Sequence, residues 1–189
     1  MQTGWRGIRS ASIAATLSLL LALSACGSTP SGSPSTTGTK STTTTSIPAT
    51  STTLAPTSVA VLNAYRAGWA AFEHALADAN PSDPELAATM VEPQLQSVKA
   101  NLFADKRAGM VGRGTTTLHP KITALSATTA TVVDCAHSTA ELIYASSGKP
   151  VPPVTPPEND GVRATLVLAG STWKVSKQTV TEGTCVPGS

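Results

Sequence analysis

The sequence contains none of the short motifs that identify the common enzyme classes. It has no Gly-x-Ser-x-Gly nucleophile turn, no phosphate-binding loop, no dinucleotide-binding glycine pattern and no zinc-binding helix motif. It also has no internal repeat. We therefore predict no catalytic residue and no cofactor from motifs, and the informative features lie elsewhere in the chain.

A long apolar run is also missing from the start of the chain. The stretch from Ile13 to Leu23 follows Arg6 and Arg9 and includes two hydroxyl residues. It is about a dozen residues long, whereas a spanning helix needs roughly 20 apolar residues. A basic start, a short apolar run and small residues at its end predict a secretory signal peptide over residues 1–25.

The residues that follow the apolar run are Leu23-Ser24-Ala25-Cys26. This run resembles the lipobox of bacterial lipoprotein signal peptides. The resemblance implies cleavage before Cys26, acylation of Cys26 and a protein anchored on the extracytoplasmic face of the cell membrane. The alternative is an ordinary secreted protein, cut after Ala25, in which Cys26 is incidental.

Charge is scarce and balanced. Charged residues make up 13% of the chain. Without Arg6 and Arg9, two of its 13 lysines and arginines, 11 basic residues face 11 acidic ones. A neutral domain without a basic cluster is a poor partner for nucleic acid and for anionic headgroups, so we expect no nucleic-acid partner.

Cysteine is rare, with three in the chain. Once Cys26 is assigned to lipid, Cys135 and Cys185 remain as an even pair in an exported domain, which predicts a disulfide. Two free thiols are the alternative. Neither residue has a Cys-x-x-Cys partner, so we predict no metal site.

Residues 27–57 contain 19 serines and threonines among 31 residues, and Lys40 is their only charge. Such a segment cannot bury enough apolar surface to offset the entropy of ordering it. We predict a disordered tether over residues 26–57, including the lipidated cysteine, and a folded domain over residues 58–189.

The first half of the domain has helical periodicity. Apolar residues recur at spacings of 3, 4, 3 and 4 and form one stripe: Leu62, Tyr65, Trp69, Phe72 and Leu76. We expect the first helix to start at a cap on Thr57 or Ser58 and to end near Ala79. A capping residue and a proline within residues 82–85 start a second helix, which Pro93 restarts after a bend and which stops at Gly109.

The second half is rich in Val, Thr, Ile and Leu, with Gly and Pro between the runs. Five strands are predicted, over residues 115–125, 130–137, 141–145, 162–168 and 172–181. The loop between the third and fourth strands contains five prolines and should be extended and exposed. Helices followed by strands predict an α+β fold, with N-terminal helices packed on an antiparallel sheet.

Particular residues accompany this order of elements. They are the strand with His119-Pro120, the run Val132-Val133-Asp134-Cys135, the final strand over residues 170–175 and Gly183-Thr184-Cys185. Together they resemble the nuclear transport factor 2-like superfamily, also called SnoaL-like, and within it uncharacterised lipoproteins of high-GC Gram-positive bacteria. The resemblance implies a curved, cystatin-like sheet that forms an open-mouthed cone with a pocket. It does not imply one function, since the superfamily includes enzymes, transport factors and scaffolds.

Enzymes of that superfamily place Asp, His or Tyr inside the cone. The matching residue types here are Asp134, His137, Tyr144, His119 and Arg66. In a regular strand Asp134 and His137 point to opposite faces, so they do not form a ready acid/base pair. The plainer interpretation of Asp134 is a turn cap or an ion pair, for instance with Arg163.

The aromatic residues of the first helix could line the pocket. Tyr65, Trp69 and Phe72 would supply its apolar wall, with Asp134 orienting a ligand. A stripe at helical spacing is more often core packing, and we expect Trp173 in the core as well. We expect His119 at a strand edge and His74 in solvent.

These observations favour a cell-envelope lipoprotein whose domain binds or interacts without catalysis. The expected partners are the membrane, through the lipid, and either a small apolar ligand or an envelope protein. One alternative is a small pocket-type hydrolase or isomerase. Another is an accessory subunit of a membrane transport or export complex.

Overall fold

The computed structural model describes residues 56–154 and 156–186. The predicted signal peptide, Cys26 and the tether up to residue 55 lie outside the described residues. Within the described part of the chain, no helix combines the length and the apolar character needed to cross a bilayer.

Three helices come first, and the longest of them begins earlier than predicted. Helix α1 spans Pro56–Ala77. Proline suits the first turn of a helix, because its missing N–H would have no partner there. Thr57 and Ser58 therefore lie inside the first turn rather than before it, and the predicted cap at these residues is wrong.

The predicted second helix forms two separate helices, of which the first starts and the second stops on a predicted signal. Helix α2 spans Pro84–Thr89, and the Oδ1 atom of its N-cap Asp83 accepts a hydrogen bond from the Glu85 N–H at 2.9 Å. Helix α3 spans Gln94–Ala108. It ends at Gly109, whose φ of 67° is the left-handed conformation that glycine adopts readily.

The remaining elements are strands in two antiparallel sheets. Their bounds are β1 Met110–Arg113, β2 Thr116–Thr117, β3 Lys121–Leu125, β4 Thr129–Ser138, β5 Glu141–Tyr144, β6 Glu158–Ala169 and β7 Thr172–Thr181. The larger sheet has the order β2-β4-β6-β7, with β3 also paired to β4, and β1 pairs with β5 in a separate two-stranded sheet. The helices pack against the antiparallel strands, which confirms the predicted α+β fold class.

Two details of the strands differ from the prediction. The single strand expected over residues 115–125 is split into β2 and β3, and Pro120 lies in the gap, where it has no N–H to contribute to a ladder. Strand β1 was not predicted, because its four residues are too few to show the alternation of apolar and polar residues that indicates a strand. The loop between β5 and β6 is mostly exposed, and all five of its prolines are exposed, as expected.

Helix α1 lies very close to the strands at two glycines. A Cβ atom at Gly68 would lie 2.9 Å from Cγ2 of Val175 on β7. A Cβ atom at Gly112 on β1 would lie 2.5 Å from Cγ of Leu76 on α1. Only glycine fits at these two positions, which allows α1 to lie this close to β7 and β1.

Candidate functional site

A buried pair joins the first helix to the centre of the large sheet. The Tyr65 hydroxyl on α1 donates a hydrogen bond to Oδ2 of Asp134 on β4 at 3.0 Å. Tyr65 is fully buried and Asp134 is 7% exposed. Of the predicted site residues, these two are brought together across 69 positions of sequence.

The other carboxylate oxygen of Asp134 is held by the main chain. The His119 N–H donates to its Oδ1 atom at 2.7 Å, and the His119 ring nitrogen Nδ1 lies 3.2 Å from the carbonyl oxygen of Cys135. Because Pro120 interrupts the strand, the N–H of His119 is available to a side chain instead of a neighbouring strand. His119 itself is exposed, as expected.

Burial dominates the proton affinities of this pair. It raises the pKa of Asp134, although the hydrogen bonds from the His119 main chain and from Tyr65 oppose the rise. Burial also raises the pKa of Tyr65 far above its ordinary range, and the nearby carboxylate of Asp134 adds to the rise, while a hydrogen bond from the Trp69 side chain opposes it. Tyr65 therefore remains a protonated donor, and the pair is suited to holding α1 on β4.

The register of the sheet separates Asp134 from two predicted neighbours. Arg163 lies opposite Val133 and is exposed, so the suggested ion pair with Asp134 is wrong. The side chain of His137 contacts Asn159, with Nδ1 2.9 Å from Oδ1. Asp134 is buried while His137 is only half-buried, which agrees with the prediction that the two side chains do not form a dyad.

A disulfide joins Cys135 and Cys185, with 5.7 Å between their Cα atoms. The predicted bond is therefore present, and it ties the chain end to β4 immediately beside Asp134. The backbone is crowded here, because a Cβ atom at Gly161 would lie 2.7 Å from Oγ1 of Thr184.

An open groove of about 330 Å³ lies on the other side of α1, and we call it the alanine groove. It runs between α1, α2 and the β6–β7 turn and is lined by Ala60, Asn63, Ala64, Ala67, Ala88, Thr89, Ser171, Thr172 and Trp173.

None of the four residues proposed to line a pocket borders this groove. Tyr65, Trp69 and Phe72 pack in the hydrophobic core, because the apolar stripe of α1 faces the sheet, and Asp134 is closed over by Tyr65. Trp173 belongs to the core as predicted and also reaches the groove.

Neither motifs nor aromatic residues indicate this groove, because most of its lining side chains are small. The signal was present in α1, where Ala60, Ala64 and Ala67 recur at spacings of 4 and 3 on a different face of the helix from the apolar stripe. Small residues at helical spacing allow another segment to approach the helix backbone closely. The sequence does not show that α2 and the β6–β7 turn lie across a gap from these alanines, because that depends on tertiary packing.

The remaining candidates lie apart. Tyr144 is exposed on β5 and Arg66 is exposed on α1, so neither reaches the buried pair. The His74 side chain is 67% exposed, as expected, and its Nδ1 atom lies 2.9 Å from Oδ2 of Asp83.

No protein-family profile matches this sequence, and no curated protein matches it either. Solved structures do match. The intermembrane space region of the chloroplast protein ARC6 has a TM-score of 0.53 at 15% identity, covering 66% of this chain and 96% of that one.

Two further structures match with lower scores. A protein with a cystatin-like fold from Caulobacter vibrioides has a TM-score of 0.43 at 14% identity and covers 65% of this chain and 89% of its own. The periplasmic domain of DotI has a TM-score of 0.45 at 17% identity, covering 69% and 98%. At these identities the likeness concerns the fold alone.

Proposed function

We propose that the protein is a lipoprotein of the cell envelope, acylated at Cys26, whose nuclear transport factor 2-like domain binds an envelope protein without catalysing a reaction. The bond between Cys135 and Cys185 supports an exported domain, since disulfides persist in oxidising compartments. The fold it shares with the ARC6 intermembrane space region also suits a domain that works outside the cytoplasm or stroma.

The alanine groove is the observation that carries the binding role. It is open, it follows about two turns of α1 and it has no acidic, basic or histidine side chain among its lining residues. A volume of about 330 Å³ suits a few apolar side chains of a partner segment. The acid and phenol that could do chemistry are instead enclosed in the core.

The groove is tested with two alanines of the same helix. Ala67 lines the groove, whereas Ala70 is exposed on α1 outside it. A photoreactive phenylalanine analogue at position 67 in cells should cross-link one envelope protein, and the same analogue at position 70 should not. That protein, purified, should bind the parent and Ala70→Arg alike and bind Ala67→Arg at least about tenfold more weakly. Equal binding by Ala67→Arg and Ala70→Arg would overturn the groove as the binding surface.

The anchor is tested separately by Cys26→Ala. The variant should leave the membrane fraction of the cells that produce it, because its acyl chains are its proposed hold on the bilayer. If Cys26→Ala sediments with membranes as firmly as the parent, the lipoprotein assignment fails.

One observation favours a pocket-type enzyme as the second candidate. Asp134 has a raised pKa and a phenol within hydrogen-bond distance, which is a pattern found in acid/base sites. Asp134→Asn keeps the shape and removes the charge. A turnover assay in which this variant loses about a thousandfold in rate, with folding unchanged, would replace the binding proposal with the enzymatic one.

A further inference from the structure

Three side chains converge beside the connection between α1 and α2. His74 comes from the last turn of α1, Asp83 caps α2 and Glu85 lies in the first turn of α2. The Nδ1 atom of His74 is 2.9 Å from Oδ2 of Asp83 and 3.9 Å from Oε2 of Glu85. One donor atom from each residue lies within 4.8 Å of the other two.

The three residues differ in how firmly they are held. Asp83 is 4% exposed, and the N–H of Glu85 fixes its Oδ1 atom, which leaves Oδ2 turned toward His74. The side chains of His74 and Glu85 are 67% and 61% exposed. The cluster therefore has one rigid carboxylate and two side chains that can rotate toward an ion arriving from solvent.

We propose that His74, Asp83 and Glu85 bind a divalent transition-metal ion of the Zn²⁺ class. One imidazole nitrogen and two carboxylate oxygens are ligands that Zn²⁺ accepts, each about 2.0–2.2 Å from the metal. Two donors at that distance in a tetrahedral site are roughly 3.3 Å apart. The separations of 2.9 and 3.9 Å bracket this value, so small rotations of the two exposed side chains complete the geometry.

The chemistry of the donors selects among metals. Ca²⁺ and Mg²⁺ favour six or more oxygen ligands, whereas an imidazole nitrogen favours Zn²⁺ and its transition-metal neighbours. Three protein ligands leave a fourth tetrahedral position for water. The bound ion would also link the end of α1 to the start of α2.

The ordinary alternative is an ion pair between His74 and Asp83. In that alternative Nδ1 of His74 carries a proton and donates it in a hydrogen bond to Asp83, whereas a bound metal needs this nitrogen without a proton. His137, one of the three histidines of the chain, serves as a control, because its ring Nδ1 faces Asn159 and not a carboxylate.

The experiment titrates Zn²⁺ into the metal-stripped full chain, purified without a histidine tag and followed by calorimetry. We expect one saturable site per chain. His74→Ala and Glu85→Gln should each weaken binding at least about tenfold, and His137→Ala should not change it. Asp83→Ser should weaken it as well, while keeping a side chain that can cap α2.

Cobalt(II) gives a second measurement that does not depend on heat. The parent chain should develop the visible absorption of four-coordinate Co²⁺, and His74→Ala should not. The absence of saturable binding at millimolar Zn²⁺, or equal affinities for the parent and His74→Ala, would overturn the proposal and leave the ion pair. Binding by the parent and by all three ligand variants alike would mark the metal as adventitious.

Discussion

Two buried aspartates in this protein have the same hydrogen-bond arrangement, but their partners differ in exposure. Asp134 and Asp83 each accept a main-chain N–H on Oδ1, from His119 and Glu85 respectively. Each has its Oδ2 atom within hydrogen-bond distance of an aromatic side chain on α1, Tyr65 in one case and His74 in the other. Tyr65 is fully buried, whereas the His74 side chain is 67% exposed.

The comparison shows how burial decides what such a pair can do. A buried carboxylate and its phenol lack water, so each must keep the other as its partner, and the pair serves the fold. The carboxylate of Asp83 is buried as well, but its partner His74 is exposed, so water can take the place of the imidazole when the pair opens. The partner of Asp83 is therefore available to a ligand, while the partner of Asp134 is committed to holding helix and sheet together.

The largest expected effect on stability comes from removing the disulfide that lies beside the buried Asp134. The Cys135–Cys185 bond closes a loop with a sequence separation of 50 residues next to Asp134. Its removal in the double variant Cys135→Ala, Cys185→Ala should lower the free energy of unfolding by about 4 kcal/mol. Urea unfolding measures the change, and reducing agent should shift the parent but leave the double variant where it is. An unchanged midpoint for the double variant would show that the strand of Asp134 needs no covalent support.

A third aspartate sharpens the comparison, because it is buried with less help. Asp105 on α3 is 4% exposed, and among the described residues its Oδ1 atom has no hydrogen-bond partner. Burial raises its pKa from 3.8 to about 6. The folded state therefore holds a proton that the unfolded state has released between about pH 4 and pH 6.

Stability should fall as the pH rises through this window. The contribution of Asp105 is fully present below pH 4 and is lost above pH 6, amounting to about 2–3 kcal/mol. Asp105→Asn should unfold at a higher urea concentration than the parent at pH 7.5 and lose this part of the pH dependence. Parallel pH profiles for parent and variant would mean that the carboxyl is not the source of the cost.

The buried pair itself is tested with the two tyrosines of the chain. Tyr65→Phe removes the donor to Asp134 and leaves a buried carboxylate oxygen without it, so the free energy of unfolding should fall by about 2 kcal/mol. Tyr144→Phe is the matched control, and because Tyr144 is exposed its effect should stay within about 0.5 kcal/mol. Equal effects of the two substitutions would show that the hydrogen bond between Tyr65 and Asp134 adds nothing to stability.

Local chemistry made much of the fold predictable. The stripe from Leu62 to Leu76 gave α1 its buried face, and Gly109 ended α3. The pair of cysteines left once Cys26 was assigned to lipid indicated the bond between Cys135 and Cys185. Each of these signals is contained in a short segment or in the chemistry of one residue type. They therefore needed no knowledge of which elements become neighbours.

The site was less predictable because its contacts are long-range. Tyr65 reaches Asp134 only when α1 crosses β4, and the donor from His119 exists because Pro120 breaks a strand that was expected to be continuous. The convergence of His74 on Asp83 likewise depends on the conformation of the turn between two helices. The sequence therefore indicated candidate residues by their type, but it did not indicate which residues they contact.

The smallest expected effect is on the exposed side of the comparison. In metal-free buffer, His74→Ala should change the free energy of unfolding by less than about 1 kcal/mol, because the exposed His74 ring can be replaced by water as the partner of Asp83. Added Zn²⁺ should then raise the unfolding midpoint of the parent and not of His74→Ala, since a ligand stabilises only the state that binds it. Thermal unfolding of both proteins, with and without Zn²⁺, measures the two effects together. A loss of several kcal/mol without metal would instead make His74 a structural partner of Asp83 in the way that Tyr65 is of Asp134, and the contrast between the two aspartates would disappear.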